Sequence, residues 1–269
     1  GGILNILGDY VLVMKMNLGV FGAGLATAAS QVISFTILLF MYLKMAQSTI
    51  RFTAVRKDIK LYLTIAKVGL PSLIRQGLTS VTNGLLNNLT KPFGDAAIAA
   101  MSVVSRYSNF LMCVGLGMGQ GFQPVASFNY QAKKYDRVKK GLLFTTAFGL
   151  VFIGAMSSIS IVFAGPIVSI FQKHPDVIAI GAVALRYTAI GMLFMPFSVP
   201  VNMLYQSIQQ PTISSILSLI RSGAVTIPML LVCVPVLGLT GIQIAQPTAD
   251  VVAGLLSIPF IIRFLRKSN

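Results

Sequence analysis

The sequence predicts an all-α integral membrane protein, a polytopic bundle in which about eight helices are present, and three observations carry that reading. Charged residues make up only 10% of the 269 and hydrophobic residues 55%, against about 25% charged in an ordinary soluble domain. No Asp, Glu, Lys or Arg falls in 16–43, 107–132, 141–172, 187–220 or 222–249. Each run exceeds the roughly 20 residues a helix needs to cross about 30 Å of hydrocarbon. Turn residues punctuate the runs at intervals too long for the roughly 10-residue strands of a membrane barrel.

Eight apolar segments follow in order. The first, 3–14, is short, carries Asn5 and Asp9, and stops at Lys15-Met16-Asn17. The second, 18–43, opens on Leu18-Gly19 and runs into a basic stretch at Lys44. The third, 61–90, contains Gly69-Leu70-Pro71 and a polar stripe of Gln76, Asn83, Asn87 and Asn88, and ends at Lys91-Pro92-Phe93-Gly94-Asp95. The fourth, 96–125, precedes a cluster of five basic residues in 133–140. The fifth, 141–172, ends at Lys173-His174-Pro175-Asp176. In the sixth, 176–205, Pro196 and Pro200 predict a bent or broken helix, because proline removes a backbone donor and clashes with the preceding turn. The seventh, 212–236, and the eighth, 239–265, meet at Leu237-Gly238 and carry Arg221 and Asp250.

The formal net charge of +15 would suit a nucleic-acid binder, but its placement excludes that. Fourteen of the 21 Lys and Arg lie in alternate connections, within 44–67, within 133–140 and at Arg263, Arg266 and Lys267, whereas the intervening connections hold only Lys15, Lys91 and Lys173. The positive-inside rule puts the first set, with the C-terminus, in the cytoplasm. Cys113 and Cys233 sit inside apolar runs and read as small packing residues. No phosphate-binding loop, Ser/His/Asp set or metal-ligand cluster is visible, which argues against ATP-driven transport and against an enzyme. His174, in an outer turn, reads as a solvated histidine.

An internal repeat appears at an offset of 219 residues, where Leu18-Gly19-Val20-Phe21-Gly22-Ala23-Gly24-Leu25-Ala26 aligns with Leu237-Gly238-Leu239-Thr240-Gly241-Ile242-Gln243-Ile244-Ala245. Both strings open a helix from the same side, so the repeats are parallel, a transporter architecture. The chain starts apolar at Gly1-Gly2, without Met, and is expected to be a piece of a protein of roughly 430 residues and twelve helices, lacking about four helices at its N-terminus.

The chain resembles the multidrug and toxic compound extrusion (MATE) transporters. Gly119-Gln120-Gly121-Phe122-Gln123-Pro124, then Asn129-Tyr130-Gln131-Ala132-Lys133 and Arg137, is similar to the exit of that family's eighth helix. Gly69-Leu70-Pro71 and Phe93-Gly94-Asp95-Ala96-Ala97-Ile98-Ala99-Ala100 resemble the passage from seventh to eighth helix, and Gln246-Pro247-Thr248-Ala249-Asp250 the twelfth helix of the MepA-like branch. Gln131 departs from a position that is often Gly in the family. The resemblance implies two six-helix lobes: 1–48 as the last two helices of the N-lobe, 49–60 as a basic cytoplasmic linker and 61–269 as the C-lobe. It also implies export of drugs, often cationic, in exchange for H⁺ or Na⁺, with no cofactor beyond that coupling ion.

Candidate site residues follow from polar groups at membrane depth. Asn5 and Asp9 share a helix face, being four residues apart. Counted from the turn, Thr27 in the next helix comes within roughly 6 Å of the same depth at 1.5 Å per residue. A carboxylate there costs roughly 2.5–3.5 kcal/mol on insertion scales and is kept where it binds an ion or proton. Alternatively Asp9 lies near an outer end and simply reaches water. The resemblance assigns Asp9, Asn5 and Thr27 to cation or proton coupling. At the repeat offset Asp9 maps to Pro228 and Asn5 to Ala224, so the second half lacks this set, and residues 68–90 hold no acid. Asp250 and Arg221 differ in depth by about 4.5 Å and form either an ion pair or a second coupling site. Arg75, Arg106 and Arg186 read as structural or snorkelling chains. Gln76, Asn83 and Asn87 face a water-filled cavity or bond helix to helix. Met192 and Met195, with Phe194 and Phe197, form an adaptable drug surface or pack in the core.

The sequence thus predicts a secondary active multidrug exporter in the cell membrane, a multi-pass monomer that acts on small-molecule drugs, touches lipid and binds no nucleic acid. The rivals are a lipid-linked precursor flippase of the same architecture, which needs Arg75, Arg106 and Arg186 to face the lumen, and an uncoupled channel or scaffold.

Overall fold

The structure, a computed structural model, describes residues 1–45 and 58–267, and every element among them is helical. Residues 49–57 of the expected linker, with Arg51, Arg56 and Lys57, lie outside the described residues, while Ile59 and Lys60 already belong to a helix. The chain divides into two compact units, Gly1–Asp58 and Ile59–Asn269.

The first unit is a helical hairpin. Helix α1 (Gly2–Asp9) passes without interruption into a wider π-helical turn over Tyr10–Lys15, and α2 (Gly19–Met45) follows. The reversal uses left-handed backbone at Asn17 (φ 51°) and Gly19 (φ 53°), a conformation that costs Asn and Gly little. A side chain at Gly22 would come within 2.9 Å of the Leu12 carbonyl oxygen, so the corner closes only around glycine. The second unit repeats the device. Gly238 is left-handed (φ 59°), and a side chain at Gly241 would meet the Cys233 backbone. The sequence repeat therefore encodes one steric solution for a tight helical corner, used twice.

The second unit packs α3 (Ile59–Thr90), α4 (Asp95–Gln131), α5 (Tyr135–Val162), α6 (Ala164–Phe171), α7 (Pro175–Met192), α8 (Met195–Ser207), α9 (Pro211–Leu219), α10 (Thr226–Leu237) and α11 (Leu239–Lys267) into one bundle. A π-helical turn, Ile220–Ala224, joins α9 to α10. Among the described residues six helical stretches are long and apolar enough to cross a membrane: Gly19–Lys44, Asp95–Gln131, Tyr135–Val162, Pro175–Met192, Pro211–Leu237 and Leu239–Arg266. Of the other two expected segments, α1 is short. Helix α3 has ample length at 32 residues but carries Lys60, Lys67, Arg75 and an asparagine-rich face.

Two expected segments are broken. The run 141–172 divides at Phe163, because Pro166 has no N–H for the Val162 carbonyl, and α6 starts afresh. The run 176–205 divides at Leu193-Phe194 for the same reason at Pro196. The basic stretch 133–140 is also mostly helical, since Ala132–Lys134 turns the chain and α5 begins at Tyr135. Small residues let α11 press on the second break: a side chain at Gly254 would lie 2.5 Å from the Phe194 Cβ, and one at Gly191 2.7 Å from the Pro247 Cα. One buried cluster, including Met101, Val104, Leu185, Leu230 and Ile242, fills the end of the bundle near the corners at 94 and 238. Another, including Phe122, Leu142, Leu204, Leu217 and Phe264, fills the opposite, basic end. Between them lie the polar groups.

Candidate functional site

In the first unit the hairpin brings Asn5 and Thr27 together. The Asn5 Nδ2 donates to Thr27 Oγ1 at 3.2 Å, and Thr27 Oγ1 donates in turn to the Ala23 carbonyl at 2.9 Å. Close packing of Gly8 on the buried Ala26 brings α1 near α2 at this level, since a side chain at Gly8 would be 3.0 Å from the Ala26 Cβ. Asp9 lies one turn beyond Asn5, at the last α-helical position before the π turn. Its Oδ1 is buried and has no hydrogen-bond partner among the described residues. An orphaned carboxylate oxygen is costly in apolar surroundings and marks a place for a proton, a cation or water. π turns of this kind often adjoin functional positions.

In the second unit Arg221 Nε donates to Asp250 Oδ1 at 2.9 Å, with side-chain exposures of 12% and 4%. Arg221 rides on the π turn, whose extra residue in the helical turn alters the direction of its side chain; the loosened Arg221 carbonyl accepts Thr226 Oγ1 at 3.3 Å. Nη2 of Arg221 lies 3.1 Å from the Met112 sulfur. The ion pair forms the floor of a cavity of about 130 Å³ whose walls come from α3, α4, α7 and α11. Its walls set hydroxyls and amides, among them Thr82, Ser108, Asn109, Thr188, Ser222, Gln243 and Gln246, into an apolar lining that includes Leu86, Met101, Val104 and Ile242. Thr82 Oγ1 donates to the Ser222 carbonyl at 3.0 Å, and Gln243 Nε2 to the Ile180 carbonyl at 3.2 Å, so the polar residues also tie α3 to the π turn and α11 to α7. Apart from Gln246, which opens the Gln246-Pro247-Thr248-Ala249-Asp250 string, these residues carry no sequence motif; single Ser, Thr and Gln residues in apolar runs were their only signal.

Of the expected cavity residues, Asn83 and Met192 line this space. Gln76, Asn87 and Met195 do not. Gln76 and Asn87 are exposed; they share the side of α3 that carries Asn83, about 20° and 40° from it, but sit two turns before it and one turn after it, beyond the ends of the cavity. Met195 is a core residue at 1% exposure, packed on Val199 and Met203 and seated where Gly115 leaves room for its methyl group. Arg75 lines a separate small pocket with Arg221, Ser198 and Asn202. Arg106 and Arg186 are exposed, and Arg186 Nε donates to the Ile161 carbonyl at 3.3 Å.

Residues 71–232, from Pro71 in α3 to Val232 in α10, match the sequence profile of the MatE family. The chain belongs to the MatE family. The MatE match contains Arg221 and most of the cavity wall; Asp250 and the Asn5–Asp9–Thr27 hairpin lie outside it. The multidrug export proteins MepA of Staphylococcus saprophyticus and Staphylococcus haemolyticus are each 26% identical over 266 residues, 98% of this chain and 58% of theirs. The chain spans 58% of the length of these relatives. Among solved structures, an outward-facing multidrug resistance MATE family transporter superposes with a TM-score of 0.83 at 21% identity, over 97% of this chain and 60% of that one. A MOP superfamily transporter of Pyrococcus furiosus gives 0.83 at 21%, over 97% and 60%, and the bent form of the Vibrio cholerae MATE transporter VcmN gives 0.80 at 20%, over 99% and 61%. At these identities the likeness establishes the MatE fold: all-α, polytopic and membrane-embedded.

Proposed function

We propose that this chain works in a secondary active multidrug exporter, which moves lipophilic, cationic drugs out across the cell membrane in exchange for H⁺ or Na⁺ by alternating access. The observation that carries the reading is the buried, unpartnered Oδ1 of Asp9, one turn from the Asn5–Thr27 contact. Carboxylate, amide carbonyl and hydroxyl oxygens are the hard donors that a proton or small cation prefers. Loading Asp9 in one conformation more strongly than in the other would shift the equilibrium between the two, the physical content of coupling. In this reading residues 1–48 close one lobe and 61–269 form the other. The cavity over Arg221 and Asp250 contributes to the substrate path, and Asp250 serves first as the ion-pair partner of Arg221 inside the bundle. The basic connections and the C-terminus face the cytoplasm, and the protein acts as a monomer.

The flippase reading needs a cationic lumen. Arg75 and Arg221 do share one pocket, but Arg186 is engaged by the Ile161 backbone and Arg106 lies on an exposed face. Multidrug export by the MepA relatives favours the exporter. The test is accumulation of lipophilic cationic dyes in cells expressing the full-length protein. Expression lowers accumulation, and an uncoupler or collapse of the Na⁺ gradient restores it. Efflux indifferent to both gradients overturns secondary transport.

A further inference from the structure

A second cavity, of about 240 Å³, opens at the basic end of the bundle, between the ends of α4, α5, α8, α9 and α11. It is smaller than the roughly 300–1,000 Å³ typical of drug-sized sites and suits a small polar group. Ile208, Ile213 and Phe264 make its apolar wall, and Tyr130, Tyr135, Tyr205 and Arg263 face it with polar ends.

The Arg263 guanidinium can only donate, the phenols can donate, and the Gln210 amide stands beside them. Tyr205 is committed, its hydroxyl donating to the Phe260 carbonyl at 3.3 Å and its ring set edge-on to Phe260. Tyr130 and Tyr135 are held edge-to-face, 5.4 Å apart, by the tight turn between α4 and α5, where Lys133 is left-handed and Lys134 N–H returns to the Asn129 carbonyl at 2.8 Å. Neither of those two hydroxyls, nor the Arg263 guanidinium, has a hydrogen-bond or ion-pair partner among the described residues. Among the described residues no carboxylate lines the cavity. Around it the sequence sets Lys133, Lys134, Arg137, Lys139, Lys140 and Arg266 against Asp136 alone. A planar guanidinium beside two free phenols, in a field of excess positive charge, is a receptor for a multiply accepting anion. At the end of a membrane bundle that anion is a phosphate, since basic pockets between helices at the membrane surface take lipid headgroups.

We propose that this cavity binds a phosphate group, carried by an anionic lipid headgroup or by a soluble phosphate ester, through Arg263, Tyr130 and Tyr135. The inference is independent of drug export and of which side the basic end faces.

The test is binding and thermal unfolding of the full-length protein purified in neutral detergent, titrated separately with phosphatidylglycerol, phosphatidylcholine and inorganic phosphate. Phosphatidylglycerol, phosphate or both should bind and raise the melting temperature, with phosphatidylcholine at least tenfold weaker than phosphatidylglycerol. A response to phosphatidylglycerol alone identifies the lipid as source, and a response to inorganic phosphate identifies a soluble ester. Arg263→Gln should weaken binding about tenfold or more, as expected for loss of a charge-assisted contact. The pair Tyr130→Phe and Tyr135→Phe keeps both rings and decides the matter if Arg263→Gln does not fold; it should weaken binding several-fold. Unchanged affinity in the variants, or no binding of either phosphate probe by the wild type, overturns the proposal.

Discussion

Arg221 and Asp250 meet across 2.9 Å inside the helical bundle, joining the π turn between α9 and α10 to the middle of α11. Each is nearly removed from solvent, so neither charge is tolerable without the other. The pair holds the floor of the polar cavity and fixes the register of two helices that also share the Gly238 corner.

Breaking that pair should cost more than replacing it. Removing one partner of a buried ion pair costs about 3–5 kcal/mol, whereas an apolar pair of similar volume is often neutral. Asp250→Asn should therefore lower the melting temperature of detergent-purified protein more than Arg221→Met combined with Asp250→Leu does. Equal losses for the single and double variants would show that the pair is not interdependent.

Asp9→Asn should stop coupled efflux and leave folding nearly intact, since it keeps shape and hydrogen-bonding capacity but removes the charge that cycles. Drug efflux against an imposed pH or Na⁺ gradient, in full-length protein at matched expression, measures this. Wild-type efflux from the variant would remove Asp9 from the mechanism. Asp250→Asn, wherever it reaches the membrane, should have the milder effect on efflux.

The break at Leu193-Phe194 is packed against α11 through Gly254. Gly254→Ala forces its methyl group to within 2.8 Å of the Phe194 carbonyl oxygen as well as the Cβ. Overpacking of this kind costs typically about 1–3 kcal/mol. Gly117→Ala, where nothing lies within 4 Å, should be neutral or slightly stabilising because alanine is the better helix former. Thermal unfolding of the two variants side by side checks the contrast; similar melting points would refute the close packing.

Topology is open to chemical labelling. After Cys113 and Cys233 are replaced, a cysteine at His174 should react with a membrane-impermeant reagent on intact cells. One at Lys134 should react only after permeabilisation. Both positions are exposed, so accessibility of the side chain does not confound the result. The reverse pattern would invert the orientation.

Much of this was legible along the chain because the bilayer acts locally. A helix that crosses hydrocarbon must be apolar over its whole length, so the long uncharged runs declare themselves one by one. Corners are equally local: Gly19 and Gly238 are glycines because the backbone there is left-handed. Depth, too, is a matter of counting. A fixed rise per residue put Asn5 level with Thr27 and Arg221 near Asp250, and those pairs do meet.

Facing is different. Which side of a helix looks inward depends on the neighbours that pack there, and those come from distant sequence. Even along one side of α3, Gln76 and Asn87 fall beyond the ends of the cavity that Asn83 reaches, because the helices packed there set its extent. For Met195 the sequence left drug surface and core packing both open, and Gly115, eighty residues earlier, decides for the core by offering it a socket. π turns at Tyr10–Lys15 and Ile220–Ala224 shift the phase of everything beyond them, and no composition announces them. The cavity at the basic end gathers residues from five helix ends, and only Tyr130 among them belongs to a string the sequence singles out. The sequence by itself determined the membrane class, the long apolar runs and the corners, because each of these follows from interactions within a turn or with the lipid. Only the tertiary structure decided which groups meet, because azimuth is set by steric fit between helices that the chain brings together last.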